Sequence, residues 1–181
     1  MSSVYFHEDD FCQIEILPIE NLGFCLKQIG CIDEFAETHR SGFGYTDMYI
    51  RDVAPFSLTN KRIMRAQLKN ALYGIAREFD EVYTGYSSYR EKCDSTHAFG
   101  NDENIVLFFD VKNDLVQNIW LMLDIGKEED ILMVQNMFRI LSKIGKFIIA
   151  DWGWSFVEDI ENHTEIEKYL QERLEVFSSQ P

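Results

Sequence analysis

Apolar residues gather most densely in two short runs, Ile105-Val106-Leu107-Phe108-Phe109 and Ile119-Trp120-Leu121-Met122-Leu123, separated by the polar stretch 110–118. Both runs are rich in β-branched and aromatic side chains, and Asn113-Asp114 supplies turn formers between them. Without polar alternation, they read as neighbouring antiparallel strands buried on both faces. Such a pair needs one layer above it and another below.

The rest of the chain supplies those layers. Residues 11–17 set Cys12, Ile14 and Ile16 against Gln13 and Glu15, the alternation of a half-buried strand that stops at Pro18. Pro18 suits a helix start with Glu20 in the first turn. The stripe Leu22, Cys25, Leu26, Ile29, Ile32, Phe35 and Ala36 continues the helix, with Gly30 a point where it would break and 41–44 a flexible end. A second strand is expected at 47–53, before Pro55. Thr59 or Asn60 then caps a helix whose inner stripe runs Ile63, Leu68, Ala71, Leu72, Ile75, Ala76 and Phe79. Its outer face carries Lys61, Arg62, Arg65, Lys69 and Arg77, the one basic surface the sequence offers, and a solvated face is the plain reading of it. A strand at 81–86 precedes the polar stretch 87–103, long enough to suggest a functional loop. A helix over 126–144, a strand at 147–150 and a last helix from Thr164 to about Val176 complete the pattern. The expected fold is α+β: a mixed or largely antiparallel sheet of about six strands flanked by about four helices, in one domain over 1–181.

Charge narrows the classes of partner. The chain has 31 acidic and 17 basic residues, a net charge of −14. The excess sits at the two ends: 1–60 carries 10 acidic against 3 basic residues and 113–181 carries 13 against 6. Such a surface repels nucleic-acid phosphates and anionic membranes, and favours a basic partner or simply solubility. Cys12, Cys25, Cys31 and Cys93 show no CxxC spacing and no matching histidine pair, which fits a reduced cytoplasmic protein without zinc. The first ten residues lack a basic flank and an apolar core, so no signal peptide is expected, and no apolar run reaches bilayer length.

Catalytic motifs are sparse. Gly85-Tyr86-Ser87-Ser88-Tyr89 starts like a nucleophile elbow but has tyrosine where the last glycine belongs. Cys93 and His97 are four apart in polar sequence, a spacing that would pair thiol and imidazole only on a helical turn. Asp110, Asp124 and Asp151 each end an expected strand; if those ends converged, three carboxylates would hold a divalent ion in a small metal-dependent hydrolase. Aspartate is also an ordinary residue for closing a strand, and this plain reading is preferred.

Two stretches have the composition of recognition surfaces. Tyr83, Tyr86 and Tyr89 alternate with small polar residues before Arg90, and Trp152-Gly153-Trp154 precedes Glu158 and Asp159. At least one of those tyrosines and one of those tryptophans is expected in the core. Together with the acidic run Glu8-Asp9-Asp10, the candidate partner-binding set is Glu8, Asp9, Asp10, Tyr86, Tyr89, Trp154, Glu158 and Asp159.

The segment His7-Glu8-Asp9-Asp10, continuing to Pro18, resembles a family of bacterial immunity proteins, as do 44–47, 82–89 and Asp151-Trp152-Gly153-Trp154. These are made beside polymorphic toxins of the Rhs and contact-dependent inhibition type. The resemblance implies a cytoplasmic, non-enzymatic protein that binds one cognate toxin domain and neutralises it. It brings no cofactor and no catalytic residue to carry over. A regulatory or scaffold module with another partner is the remaining class consistent with the residues.

Overall fold

The computed structural model describes residues 2–86, 88–101 and 104–178, with no side-chain description for 177 and 178. In chain order its strands are β1 (Ser3–His7), β2 (Ile14–Pro18), β3 (Arg40–Ser41), β4 (Gly44–Tyr45), β5 (Arg77–Glu78), β6 (Glu81–Gly85), β7 (Glu91–Lys92), β8 (Thr96–Asn101), β9 (Ile105–Lys112), β10 (Leu115–Leu123), β11 (Phe147–Asp151) and β12 (Phe156–Asp159). The helices are α1 (Leu22–His39), α2 (Arg65–Leu72), α3 (Glu128–Ile144) and α4 (His163–Ser178).

The central pair forms as expected and is longer. β9 and β10 pair antiparallel from Lys112–Leu115 back to Ile105–Leu123. The link is a two-residue turn in which Asn113 and Asp114 both take positive φ, 52° and 63°. That conformation matches the twist of a tight hairpin, so most of the polar stretch 110–118 belongs to the strands. Around this pair the sheet grows to seven strands in the order β12-β11-β2-β10-β9-β8-β5, every pairing antiparallel. The fold is α+β with a largely antiparallel sheet and four helices.

Side-chain alternation then assigns the two faces. Ile105, Leu107 and Phe109 point into a core with Leu68 and Leu72 of α2, Val134 and Phe138 of α3 and Ile166 and Leu170 of α4. Val106, Phe108 and Trp120 point the other way, against Val4, Phe6 and Val82 of the small sheet β1-β6-β7. Farther along that second face, Ile148, Ala150 and Trp152 lie beneath Cys25 and Ile29 of α1. Every residue of 105–109 is buried as a result.

Several local expectations are corrected. The helix expected over 61–79 is only α2: Arg62 ends a preceding 3-10 turn with φ 53°, and Gly74, at φ 97°, turns the chain into β5. Its basic residues are largely paired, Lys61 with Glu20, Arg65 with Asp114 and Lys69 with Glu78. α1 runs through Gly30 without a break, and the loop 41–44 is the tip of the β3–β4 hairpin. The polar stretch 87–103, read as loop, contains β7 and β8, while Ser87, Asp102 and Glu103 lie outside the described residues. The strand expected at 47–53 joins no sheet; this stretch crosses the surface as an extended strap. Among the described residues, no helix is long and apolar enough to cross a membrane.

Candidate functional site

The acidic turn is built by the end of β1. Glu8–Asp10 forms a 3-10 turn in which His7 Nδ1 accepts from the Asp9 N–H at 3.2 Å and the Asp10 carboxylate accepts from the His7 N–H at 3.2 Å. This reciprocal cap fixes the backbone and leaves Glu8, Asp9 and Asp10 exposed. β1 lies parallel to β6 with His7 beside Gly85, so the tyrosine loop emerges next to the acids. The Tyr86 ring meets the His7 imidazole edge-on at 5.1 Å. Gly85 sits at φ 152°, and a Cβ there would lie 2.0 Å from the Tyr89 carbonyl oxygen, so the loop closes only around glycine. Tyr89 donates its hydroxyl to Glu91 at 3.2 Å; that bond and the Glu91 charge raise its pKa, with Glu8 adding to the effect. Tyr86 and Tyr89 are both exposed, while Tyr83 is half-buried, so none of the three rings is fully core.

Trp154 is held from a different direction. β10 and β11 each run antiparallel to β2, so their carboxyl ends, followed by Asp124 and closed by Asp151, fall at the same end of the sheet. Asp151 is buried; one oxygen accepts the Gly153 and Trp154 N–H groups at 3.1 Å each. The other accepts the Tyr169 hydroxyl at 2.6 Å and pairs with Arg173. The Arg173 guanidinium lies 4.6 Å over the Trp154 ring and donates to the Leu123 carbonyl at 3.0 Å. Asp10, Asp124, Asp151, Trp154 and Arg173 line one cleft of about 240 Å³. Burial raises the Asp124 pKa, Arg173 opposes the rise and the Asp10 charge adds to it. Trp152, the other tryptophan of the 152–154 stretch, is core as expected.

Asp10 therefore joins the acidic turn to Trp154, and six of the eight candidate residues share one region: Glu8, Asp9, Asp10, Tyr86, Tyr89 and Trp154. Glu158 and Asp159 do not join them. β12 runs back along β11, placing these two opposite Ile149 and Ile148, away from the Trp154 turn. They are half-buried and cap local backbone, Glu158 receiving the Asp159 N–H and Asp159 the Glu161 N–H, both at 2.9 Å.

The catalytic alternatives lose their geometry. β9 runs opposite to β10, so Asp110 lies toward the other end of the sheet from Asp124 and Asp151, where it accepts from Thr96 Oγ1 at 2.6 Å and Asn118 Nδ2 at 3.2 Å. The three strand-end carboxylates do not converge, and among the described residues no group of three acidic, histidine or cysteine side chains is placed to hold a metal. Cys93 packs against the small-sheet core, while His97 stacks on Phe109 at 5.2 Å on the helix side. Burial, aided by nearby carboxylates, raises the Cys93 thiol pKa; burial and Lys69 lower that of His97. Both shifts oppose a thiolate–imidazolium pair. Ser87 of the elbow-like stretch lies outside the described residues.

Sequence reasoning missed the strap. Phe43, Tyr45, Met48, Ile50, Val53 and Phe56 are all exposed, Ile50 at 83% and Val53 at 92%. The apolar stretch itself was legible; its outward orientation was not, because that depends on polar anchors elsewhere in the chain. Compared with known proteins, the chain matches no family model, no curated protein and no solved structure.

Proposed function

We propose that this chain is a toxin-neutralising binding protein of the immunity type, acting in the cytoplasm on a basic toxin domain. The observation that carries the reading is the rigid acidic turn Glu8–Asp10 set beside exposed Tyr86 and Tyr89 and joined through Asp10 to Trp154. Aromatic anchors rimmed by fixed charge are the composition of a recognition surface, and acid on this scale steers a basic partner. The family resemblance supplies the partner class. The surface supplies the physical means.

The probe is the purified C-terminal domain of the protein encoded immediately upstream, with binding kinetics followed at two salt concentrations. Reversing Asp9 and Asp10 to lysine should slow association about tenfold and flatten its salt dependence. Tyr89→Ala should instead speed dissociation about tenfold, as loss of a contact worth ~1–2 kcal/mol does. Glu158→Lys with Asp159→Lys is the matched control, an equal charge change outside the surface, and should alter association less. Failure of that domain to bind the native chain would remove the reading.

A further inference from the structure

The strap inverts the usual polarity of a surface segment. Its inward side chains are polar and its outward ones apolar. Buried Asn21 grips the Phe56 backbone twice, donating to its carbonyl at 2.8 Å and accepting from its N–H at 3.0 Å. Buried Gln28 donates to the Asp52 carboxylate at 3.0 Å and accepts from the Tyr49 hydroxyl at 3.2 Å. Arg51 reaches Glu15 at 3.3 Å and the Cys12 carbonyl at 3.2 Å, and stacks 4.5 Å over Trp152. With Tyr49 and Arg51 anchored inward, strand-like alternation sends Met48 and Ile50 outward; the Asp52 anchor on Gln28 interrupts the alternation, and Val53 is exposed beyond it. Among the described residues, the N–H groups of Tyr49, Ile50, Arg51 and Val53 have no hydrogen-bond partner. The segment thus holds an extended, apolar edge ready for pairing.

We infer that residues 48–53 receive an edge strand of a basic protein partner, with Ile50 and Val53 as the apolar anchors of that interface. This rests on the reading of the chain as a binder of a basic protein. Charge selects the occupant. Asp47 and Asp52 on the strap, and Asp33, Glu34 and Glu37 on the exposed side of the adjoining α1, outnumber Lys27, Arg40 and Arg51, the last of which is paired with Glu15. A second copy would bring like charges together, whereas a basic surface complements them. Met48, Ile50 and Val53, each at least 79% exposed, supply the apolar centre that such an interface needs. Position agrees as well, since Arg51 ties the strap to Cys12, two residues beyond the acidic turn.

The test uses the full chain and the same upstream-encoded toxin domain. Ile50→Asp combined with Val53→Asp should weaken binding about 100-fold, mainly through dissociation. Both positions are exposed, so the thermal midpoint should stay unchanged and report that the variant is folded. Amide exchange at Tyr49 and Arg51, whose N–H groups share one edge of the segment, should slow on complex formation, whereas Ile50 shares the edge of Asp52, which faces Gln28, and should not. If the native chain binds and the double variant binds equally well, this inference falls while the proposed function stands. If binding is lost but the Tyr49 and Arg51 amides still exchange freely in the native complex, strand pairing is overturned. If the native chain does not bind, both fall together.

Discussion

Phe108 and Ile50 are both apolar residues in stretches that read as strands, yet Phe108 is completely buried and Ile50 is 83% exposed. The difference lies in what each backbone meets. Around Phe108, β9 has a ladder on both sides, to β8 and to β10, and side chains on either face find a covering layer. Around Ile50 no strand pairs with the backbone among the described residues, and the inward positions are taken by Tyr49 and Arg51, whose polar ends meet Gln28 and Glu15. Hydrophobicity marks a segment that will be covered. It does not say whether the cover belongs to the same chain.

The largest expected effect separates the two regions by stability. Phe108→Ala should cost ~3–5 kcal/mol and Leu121→Ala ~2–5 kcal/mol, because each leaves a cavity in a close-packed layer. Ile50→Ala and Val53→Ala should stay within about 0.5 kcal/mol, as ordinary surface changes do. Denaturant unfolding of the four variants checks this. Comparable losses from Ile50→Ala would mean that the strap packs against its own chain, and the contrast would collapse.

Much of this architecture was legible because periodicity reports burial directly. The pair 105–109 and 119–123, the helix ending at Ile144 and the strand beginning at Phe147 all lie where their patterns place them. β8 was not legible: Thr96, His97, Gly100 and Asn101 look like loop residues. Thr96 gains Asp110 as a partner, and Asn101 donates to Asp130 while accepting the Ile105 N–H. A Cβ at Gly100 would sit 2.2 Å from the Ile105 carbonyl oxygen, so the glycine that argued against a strand is what lets β9 approach. For the candidate site, composition found the acids and aromatics. Only the β1–β6 pairing brings Tyr86 beside His7, which opens the acidic turn, and only the β11–β12 pairing sets Glu158 apart.

A smaller effect sharpens the comparison at the strap's anchors. Asn21→Ala removes both bonds to Phe56 and leaves those backbone groups to find water, at a cost of ~1–3 kcal/mol. Asn21→Asp is the subtler variant, keeping the acceptor for the Phe56 N–H while losing the donor to its carbonyl. Amide exchange should rise at the strap's hydrogen-bonded amides, Asp52 and Phe56, in both variants and stay unchanged in β9 and β10 apart from the global shift. Equal acceleration in both regions would show that strap and core open as one unit.

The smallest effect concerns chemistry at the thiols, which lie on both sides of this contrast. Cys25 is fully buried on the inner face of α1, and burial, with the Glu15 charge adding, pushes its pKa up to about 12. Cys31 is half-buried and lies beside the Tyr49 hydroxyl, so movement of the strap uncovers it. In alkylation at pH 8, Cys31 should react through local opening of the strap, whereas Cys25 should react only as fast as the whole molecule unfolds. Asn21→Ala should therefore speed Cys31 labelling beyond any change seen at Cys25. The Cys25 thiol also adds a pH dependence of defined sign. Its folded pKa exceeds its unfolded one, so the native state holds the proton more tightly, and the associated stability is complete below the ordinary thiol range near ~8.5. That stability is lost as pH rises toward the folded value of about 12. Cys25→Ala should lower stability at neutral pH through its small cavity but show a shallower decline between pH ~9 and ~11. An unchanged alkaline slope would place the Cys25 thiol in contact with water, and the division between a sealed core and an opening strap would have to be redrawn at α1.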